Sequence, residues 1–239
     1  MSKFVLGLDL MSERIRNLFS DISGKYDTMN HVLSLGVDTI WRRRAAVESV
    51  MAAKSYKVLD VATGTGDLAL AVHYAAVRRG KVADITAMDF SKSMLKIAKR
   101  KASARSVSGL RFEFGDALRM KYRDNSFDVV TTAFSLRNFD NLNTFLKEVH
   151  RVLKPKGKFV FIDMAMPDNG AERAFFALYS RLMLAIGSLV QRNAYSWLVY
   201  SIMKFDKKRL INLAIKNKFS NVRMTNMASG IAYMITGEK

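Results

Sequence analysis

The sequence predicts an α/β fold with a mostly parallel sheet, and three observations support this prediction. Short apolar runs alternate with helix-like runs between about residues 57 and 164. Three of the apolar runs end in, or are followed by, an acidic residue. Two further strand-like runs, joined by Ala228-Ser229-Gly230, close the chain. Alternating strands and helices are typical of a doubly wound parallel sheet, whereas the closing pair predicts an antiparallel hairpin.

The individual elements follow from apolar periodicity and turn residues. Strands are expected near residues 57–62, 84–89, 110–114, 127–133, 158–164, 221–227 and 230–236. Helices are expected near 66–79, 91–104 and 141–154, and also within 1–55 and 171–217. We therefore predict one domain, 1–239, composed of an N-terminal helical cap (1–55), a core (56–164), a helical segment (165–217) and a strand pair (218–239).

A glycine-rich turn follows the first predicted strand. The segment Val58–Asp67 reads VLDVATGTGD, and a helix-like run begins at Leu68. Glycines at such a turn let a ligand approach the backbone, and the helix start presents free N–H groups. The pattern therefore favours a nucleotide-like cofactor. A purely structural turn is the alternative, because short glycine-rich turns are common in α/β proteins.

Carboxylates end the next two strands as well. Asp89 ends the second predicted strand, 23 residues after Gly66, and Asp116 follows the third. In a Rossmann-like unit, an acidic residue about 20 residues beyond the glycine turn binds the ribose hydroxyls. Ligands of parallel sheets bind beyond the carboxyl ends of the strands. Together with Asp60, these residues indicate an adenosine-binding site rather than a solvated surface.

The composition limits the partners and the chemistry. The 239 residues carry 39 basic and 21 acidic side chains, a net charge of +18, which predicts attraction to nucleic acid or to an anionic membrane face. An ordinary basic surface is the alternative. The chain has no cysteine, so it has no disulfides, thiolate nucleophiles or cysteine-based zinc sites. The three histidines lack the spacing of a metal site, and no metal is expected.

No targeting or membrane-spanning segment is expected. The first residues lack the sustained apolar run of a signal peptide. The apolar stretches 182–191 and 193–203 are separated by Arg192, and each is shorter than the roughly 20 residues that span a bilayer. We therefore expect a cytoplasmic protein, with peripheral binding to the inner face of the membrane as an open alternative.

Four blocks of the sequence carry a family resemblance. The blocks are Lys25–Asn30 with Leu35-Gly36 and Trp41-Arg42, Val58–Leu68, Ala133–Asn138, and Arg151–Gly157. They resemble class I S-adenosylmethionine-dependent methyltransferases and, through the first and third blocks, the C-methyltransferases of ubiquinone and menaquinone biosynthesis. The resemblance covers about residues 13–237. It implies a Rossmann-like, seven-stranded, mostly parallel sheet with an antiparallel C-terminal hairpin and helical lid segments.

The resemblance also implies S-adenosyl-L-methionine as the cofactor. The matching positions are Asp60, Thr63, Gly64, Thr65, Gly66, Asp89, Phe90, Met94, Asp116, Ala117 and Ala133. In the family the glycine turn faces the methionine end, Asp89 the ribose, and Phe90 and Met94 the adenine. The family usually has glycine at position 63 and often serine at position 133. The absent serine hydroxyl would remove a contact worth about 0.5–1.5 kcal/mol.

The substrate that the resemblance implies is a prenylated quinol, methylated on a ring carbon. Arg137 and Asn138 are the candidates for orienting the quinol oxygens, and Tyr26 for closing the pocket. Two alternatives stay open: Arg137 as the partner of a carboxylate, and Tyr26 as a core aromatic. Residues 165–217 would form the substrate lid, close to an anionic membrane surface. A homodimer is also left open.

Other functions are less well supported by the residues. An RNA methyltransferase would suit the charge, but the chain lacks cysteine and an Asn-Pro-Pro-Tyr-like motif, so no nucleic-acid partner is expected. A nicotinamide dehydrogenase would require a third glycine where Ala69 stands. A non-catalytic scaffold and another small-molecule substrate remain open, because this superfamily changes substrate through its lids.

Overall fold

A computed structural model describes residue 34 and residues 36–239 of the chain. Most of the predicted N-terminal cap, including Tyr26, lies outside the described residues. Within the described part of that segment, the first element is helix α1, Asp38–Glu48.

The remaining elements alternate as the sequence predicts. The strands are β1 (Ser55–Val61), β2 (Val82–Asp89), β3 (Leu110–Phe114), β4 (Phe127–Ala133), β5 (Leu153–Met164), β6 (Ser220–Met227) and β7 (Ala232–Glu238). The further helices are α2 (Asp67–Val77), α3 (Lys92–Ala104), α4 (Leu142–Val152), α5 (Gly170–Lys204) and α6 (Lys207–Lys216). Two 3-10 turns lie at Leu136–Asn138 and Ala228–Gly230.

The seven strands of the described residues form one sheet in the order β3-β2-β1-β4-β5-β7-β6. Strands β1 to β5 are parallel, and β7 runs antiparallel to both β5 and β6. The predicted mostly parallel sheet with an antiparallel C-terminal pair is confirmed. Strand β1 has β2 on one side and β4 on the other, so the strand order reverses there. Such a reversal opens a ligand crevice at the carboxyl ends of the strands.

Strand β5 begins five residues earlier than the predicted 158. Leu153 pairs with Phe127, and the register then shifts before Lys158 pairs with Val129. The intervening Lys-Pro-Lys-Gly residues, which read as a turn, form this irregularity, and Lys156 takes a φ of +64°. A Cβ at Gly157 would lie 2.8 Å from the carbonyl oxygen of Lys154, so the bend requires glycine.

The predicted helical stretch 171–217 consists of two helices. Asp206 separates α5 from α6, and its Oδ1 accepts hydrogen bonds from the backbone N–H groups of Lys208 and Arg209. Such an N-cap typically stabilises a helix start by about 1 kcal/mol. Within the described part of the chain, no helix combines the length and the apolarity needed to cross a bilayer.

The two faces of the sheet bury separate apolar clusters. Along β5, Phe159 and Phe161 belong to one cluster and Val160 and Ile162 to the other, because alternate side chains of a strand face opposite sides. Helices α4 and α6 cover the first face, and α1 and α2 the second. Each large side chain fully buried here contributes roughly 1.5–3 kcal/mol. This packing fixes the strand ends that carry the polar residues.

Candidate active site

A cleft lies beyond the carboxyl ends of β1, β2 and β4. It encloses about 910 Å³ of space, part of it open to solvent. The cleft brings together predicted site residues from separate parts of the chain. These are Gly64, Asp89, Phe90, Met94, Asp116, Ala117, Ala133 and Asn138.

A smaller pocket adjoins the cleft at the glycine turn. The two share Ala62, Gly64 and Ala133, and the smaller one adds the predicted Asp60, Thr63 and Thr65. Of the predicted cofactor residues, Gly66 alone lines neither cavity. Its φ is +84°, and an added Cβ would lie 3.0 Å from the Cβ of Ala98. Gly66 therefore allows the turn to pack closely on α3.

Asp89 is fixed by backbone donors at the wall of the cleft. Its Oδ2 accepts from the N–H of Gly64 at 2.7 Å, and its Oδ1 from the N–H of Ser91 at 2.8 Å. Burial raises the pKa of this carboxyl, and the bonds from Ser91, Gly64 and Phe90 oppose the rise. A carboxylate has about four acceptor sites, so at least one remains for a ligand hydroxyl.

Asp60 lies between two threonine hydroxyls. Its Oδ2 accepts from Thr63 Oγ1 at 2.6 Å and its Oδ1 from Thr131 Oγ1 at 2.7 Å. Burial raises the pKa of Asp60 to about 6, although both hydroxyls lower it, and the nearby charge of Asp89 adds to the rise. Thr63, where the family usually has glycine, therefore helps to hold the carboxylate that lines the smaller pocket.

An apolar wall completes the cleft. It is formed by Phe90, Met94, Leu118, Phe134 and Phe139. The adjoining turn is closed by Asp116, whose Oδ1 accepts from the N–H of Leu118 at 2.8 Å. A slot with apolar sides and a few fixed polar groups at its edge suits a planar aromatic ring.

Arg137 and Asn138 are neighbours in sequence but have different surroundings. The Arg137 guanidinium pairs with Asp163, and its Nε donates to Ser201 Oγ at 3.2 Å. Its side chain is 7% exposed, and it does not line the cleft, whereas Asn138 does. The structure thus shows the alternative in which Arg137 is the partner of a carboxylate. Its proposed contact with quinol oxygens stays a prediction.

Asn138 connects the cleft to the long helix α5. The indole Nε1 of Trp197 donates to Asn138 Oδ1 at 3.0 Å. Together with the contact between Arg137 and Ser201, this bond attaches α5 to the 3-10 turn Leu136–Asn138. The Asn138 side chain is therefore held in position at the edge of the cleft.

Sequence reasoning assigned no site role to several residues that the structure places here. Arg42 lines the smaller pocket and pairs with Asp38 on α1. Asp38 and Arg42 are four residues apart, a spacing at which opposite charges on a helix pair, so the sequence alone could have predicted this ion pair. Asp163 lies 26 residues from Arg137, and only its polar character within an apolar strand distinguishes it. In the described ranges, no three histidine or acidic residues are arranged to hold a metal ion.

Solved structures share this fold. An S-adenosylmethionine-dependent methyltransferase from Aquifex aeolicus matches with a TM-score of 0.59 and 16% identity, over 82% of this chain and 88% of that chain. Phosphoethanolamine N-methyltransferase 2 of Haemonchus contortus, solved with S-adenosyl-L-methionine, matches with a TM-score of 0.61 and 13% identity, over 83% of this chain and 52% of that chain. The chain therefore has the fold of these solved methyltransferases.

Comparison with related sequences shows the family to which the chain belongs. The ubiE/COQ5 methyltransferase family matches residues 8–239. A demethylmenaquinone methyltransferase of Deinococcus radiodurans is 40% identical, over 95% of this chain and 93% of its own length. One from Staphylococcus aureus strain MRSA252 is 35% identical over the same shares. The chain belongs to the ubiE/COQ5 methyltransferase family, which confirms the resemblance and the prediction of a methyltransferase.

Proposed function

We propose that the protein transfers a methyl group from S-adenosylmethionine to a ring carbon of a prenylated quinol in menaquinone biosynthesis. The observation that carries this proposal is a cleft that joins the strand-end carboxylates Asp89 and Asp116 to an apolar wall. The names of the two relatives, demethylmenaquinone methyltransferases, support a naphthoquinol ring as the acceptor.

The residues fit the three chemical parts of the cofactor. The small pocket offers the Asp60 carboxylate and the Arg42 guanidinium to the charged amino-acid end. Asp89 has acceptor capacity left for a ribose hydroxyl. Phe90 and Met94 provide apolar contact for the adenine ring. This order along the cleft is the one that the family resemblance implies.

The protein itself has little bond chemistry to supply. When bound, S-adenosylmethionine provides a methyl group already activated by a positively charged sulfur. The ring carbon would bond to the methyl group as the methyl–sulfur bond breaks, while the adjacent hydroxyl gives up its proton to water. Loss of the ring proton would then restore aromaticity, and the oxygen would be reprotonated, so that one proton is released overall. The protein orients the ring and excludes water. We assign the orienting contact to Asn138, which faces the cleft and is held by Trp197.

We further propose that the protein works on the cytoplasmic membrane surface, because its substrate tail is apolar. The net charge of +18 favours anionic lipid. Phe175, Leu178, Tyr200 and Met203 on α5 are more than half exposed. Exposed apolar side chains on a helix next to the cleft suit a role for residues 165–217 as a substrate lid at a lipid interface.

A methyl-transfer assay with labelled S-adenosylmethionine tests this function. Demethylmenaquinol, a demethoxy-type benzoquinol and bulk tRNA would be compared in detergent, with the Asp89→Ala variant as the inactive control. Transfer to the naphthoquinol is expected. Labelling of the benzoquinol alone would move the enzyme to another quinone pathway, and labelling of tRNA alone would refute the quinol assignment.

A further inference from the structure

A second cavity lies between α1 and α2, outside the cleft. It encloses about 1,370 Å³ of free space, part of it open to solvent. Five arginines of the described part of the chain line it, and we refer to it as the arginine groove. They are Arg42, Arg43, Arg78, Arg79 and Arg105. Arg42 has a role in the proposed cofactor site, and the other four arginines have none in the proposed methyl transfer.

Apart from Arg42, which pairs with Asp38, the arginines of this groove have no ion-pair partner in the described part of the protein. Arg43, Arg78 and Arg105 are exposed, and none has a carboxylate partner among residues 34 and 36–239. Asp67, the acidic residue in the lining, pairs with Lys101 at 2.5 Å. Guanidinium groups with free donors match the oxygens of a phosphate group. The positive charge and the N–H donors of the groove are therefore complementary to a phosphate group.

Apolar side chains lie beside these arginines. Leu70 and Ala71 line the groove together with Val47 and Tyr74, which are 47% and 39% exposed. Cationic groups above apolar surface are typical of elements that bind at the boundary between lipid headgroups and acyl chains. Binding of single-stranded nucleic acid usually requires several aromatic rings for stacking, and Tyr74 is the one aromatic residue among the described residues of this lining. The surface therefore favours a lipid over RNA.

The groove is continuous with the cofactor site. Arg42 and Asp67 line both the groove and the small pocket at the glycine turn. A bilayer bound at the groove would therefore lie next to the cleft. A prenylated quinol in that bilayer would have a short path to the methyl-transfer site.

We propose that the arginine groove binds the phosphate groups of anionic phospholipids and so docks the protein on the membrane. The purpose of this docking rests on the proposed function, but lipid binding itself does not require methyl transfer. Binding is expected to weaken as salt is added, because Arg43, Arg78 and Arg105 are exposed to solvent.

The test is flotation of the full-length protein with vesicles of phosphatidylglycerol and phosphatidylcholine. The triple variant Arg43→Gln, Arg78→Gln, Arg105→Gln should partition about 100-fold more weakly, because each basic residue near an anionic surface contributes roughly a fivefold factor. A matched variant removes the same charge from exposed residues elsewhere: Lys216→Gln, Lys218→Gln, Arg223→Gln. The vesicle partitioning of this matched variant should be within about threefold of that of the original protein. Arg78→Gln alone should lower the vesicle partitioning about fivefold.

Three results would overturn the proposal. Equal losses in both triple variants would show that net charge alone drives binding. Competition by soluble glycerol phosphate, without vesicle binding, would indicate a site for free phosphate. Loss of tRNA binding by the groove variant, with vesicle binding kept, would identify a nucleic-acid surface.

Methyl transfer to a short-chain quinol in detergent should be unchanged in the groove variant. If the original protein fails that assay, the proposed function fails, while vesicle binding still decides the docking proposal.

Discussion

Replacing Asp163 by asparagine should strongly destabilise the protein, because it leaves the buried Arg137 without its counter-charge. Asp163 is fully buried and accepts from the Arg137 guanidinium, from the N–H of Arg137 at 3.3 Å and from the N–H of Met164 at 2.7 Å. Removing one member of a buried ion pair typically costs about 3–5 kcal/mol, since the remaining charge stays desolvated.

The expected cost corresponds to a large change in thermal stability. For a chain of this size, 1 kcal/mol shifts the unfolding midpoint by about 2–4 °C, so Asp163→Asn should lower it by roughly 6–20 °C. The assay is thermal unfolding followed by circular dichroism. The control is the double variant Arg137→Met, Asp163→Leu, in which both charges are absent. Replacing a whole buried pair by apolar residues is often neutral, so this variant should recover most of the stability.

The same variants separate a structural from a catalytic role of Arg137. If Arg137 acts only through its attachment of α5, the double variant should keep measurable methyl transfer with a raised KM. Loss of kcat in a stable double variant would instead indicate contact with the substrate. A midpoint change below about 2 °C for Asp163→Asn would refute the reasoning, because it would show that the Arg137 charge does not depend on this carboxylate.

Three further predictions concern the cofactor turn. Burial raises the pKa of Asp60 in the folded protein from its usual 3.8 to about 6. Protonation of Asp60 therefore stabilises the folded state at low pH, and this stabilisation is lost as the pH rises through 6. Between pH 7.5 and pH 5, urea unfolding should therefore show the original protein gaining roughly 1–2 kcal/mol relative to Asp60→Asn; a difference independent of pH would contradict the assignment. Ala133→Ser should tighten cofactor binding about 2- to 10-fold in calorimetry, and unchanged affinity would show that position 133 makes no polar contact. Gly66→Ala should destabilise the protein more than Gly80→Ala. Both glycines have a positive φ, but only a Cβ at Gly66 would meet a neighbour, the Cβ of Ala98 at 3.0 Å. The free energies of urea unfolding should differ by about 1–3 kcal/mol, and equal losses would exclude a packing role of Gly66.

Much of the core could be predicted because its local patterns agree with the sheet that forms. The strands 110–114 and 127–133 match β3 and β4 at both ends. The position of Asp89 at the cleft could be predicted because a carboxylate at a strand end has a typical spacing from the glycine turn. These positions depend on short-range sequence, and the resemblance to a family predicted the seven-stranded, mostly parallel sheet with its antiparallel C-terminal hairpin.

The parts that could not be predicted depend on contacts between distant residues. The early start of β5 requires Leu153 to pair with Phe127, which no local pattern reveals. The partner of Arg137 lies 26 residues away on β5, so the sequence left both a substrate contact and a carboxylate contact open. The role of Thr63 also depends on its contact with Asp60, which is visible only once the turn is folded.

The position of β7 between β5 and β6 sets the order in which the sheet can be completed. During synthesis, β6 emerges before the strand with which it pairs, and the apolar edge of β5 stays uncovered until residues 232–238 arrive. An uncovered edge strand readily pairs with another chain, and β5 carries Phe159 and Phe161. Chains stalled before residue 232 are therefore expected to aggregate and to depend on chaperones, whereas one additional strand both covers β5 and recruits β6.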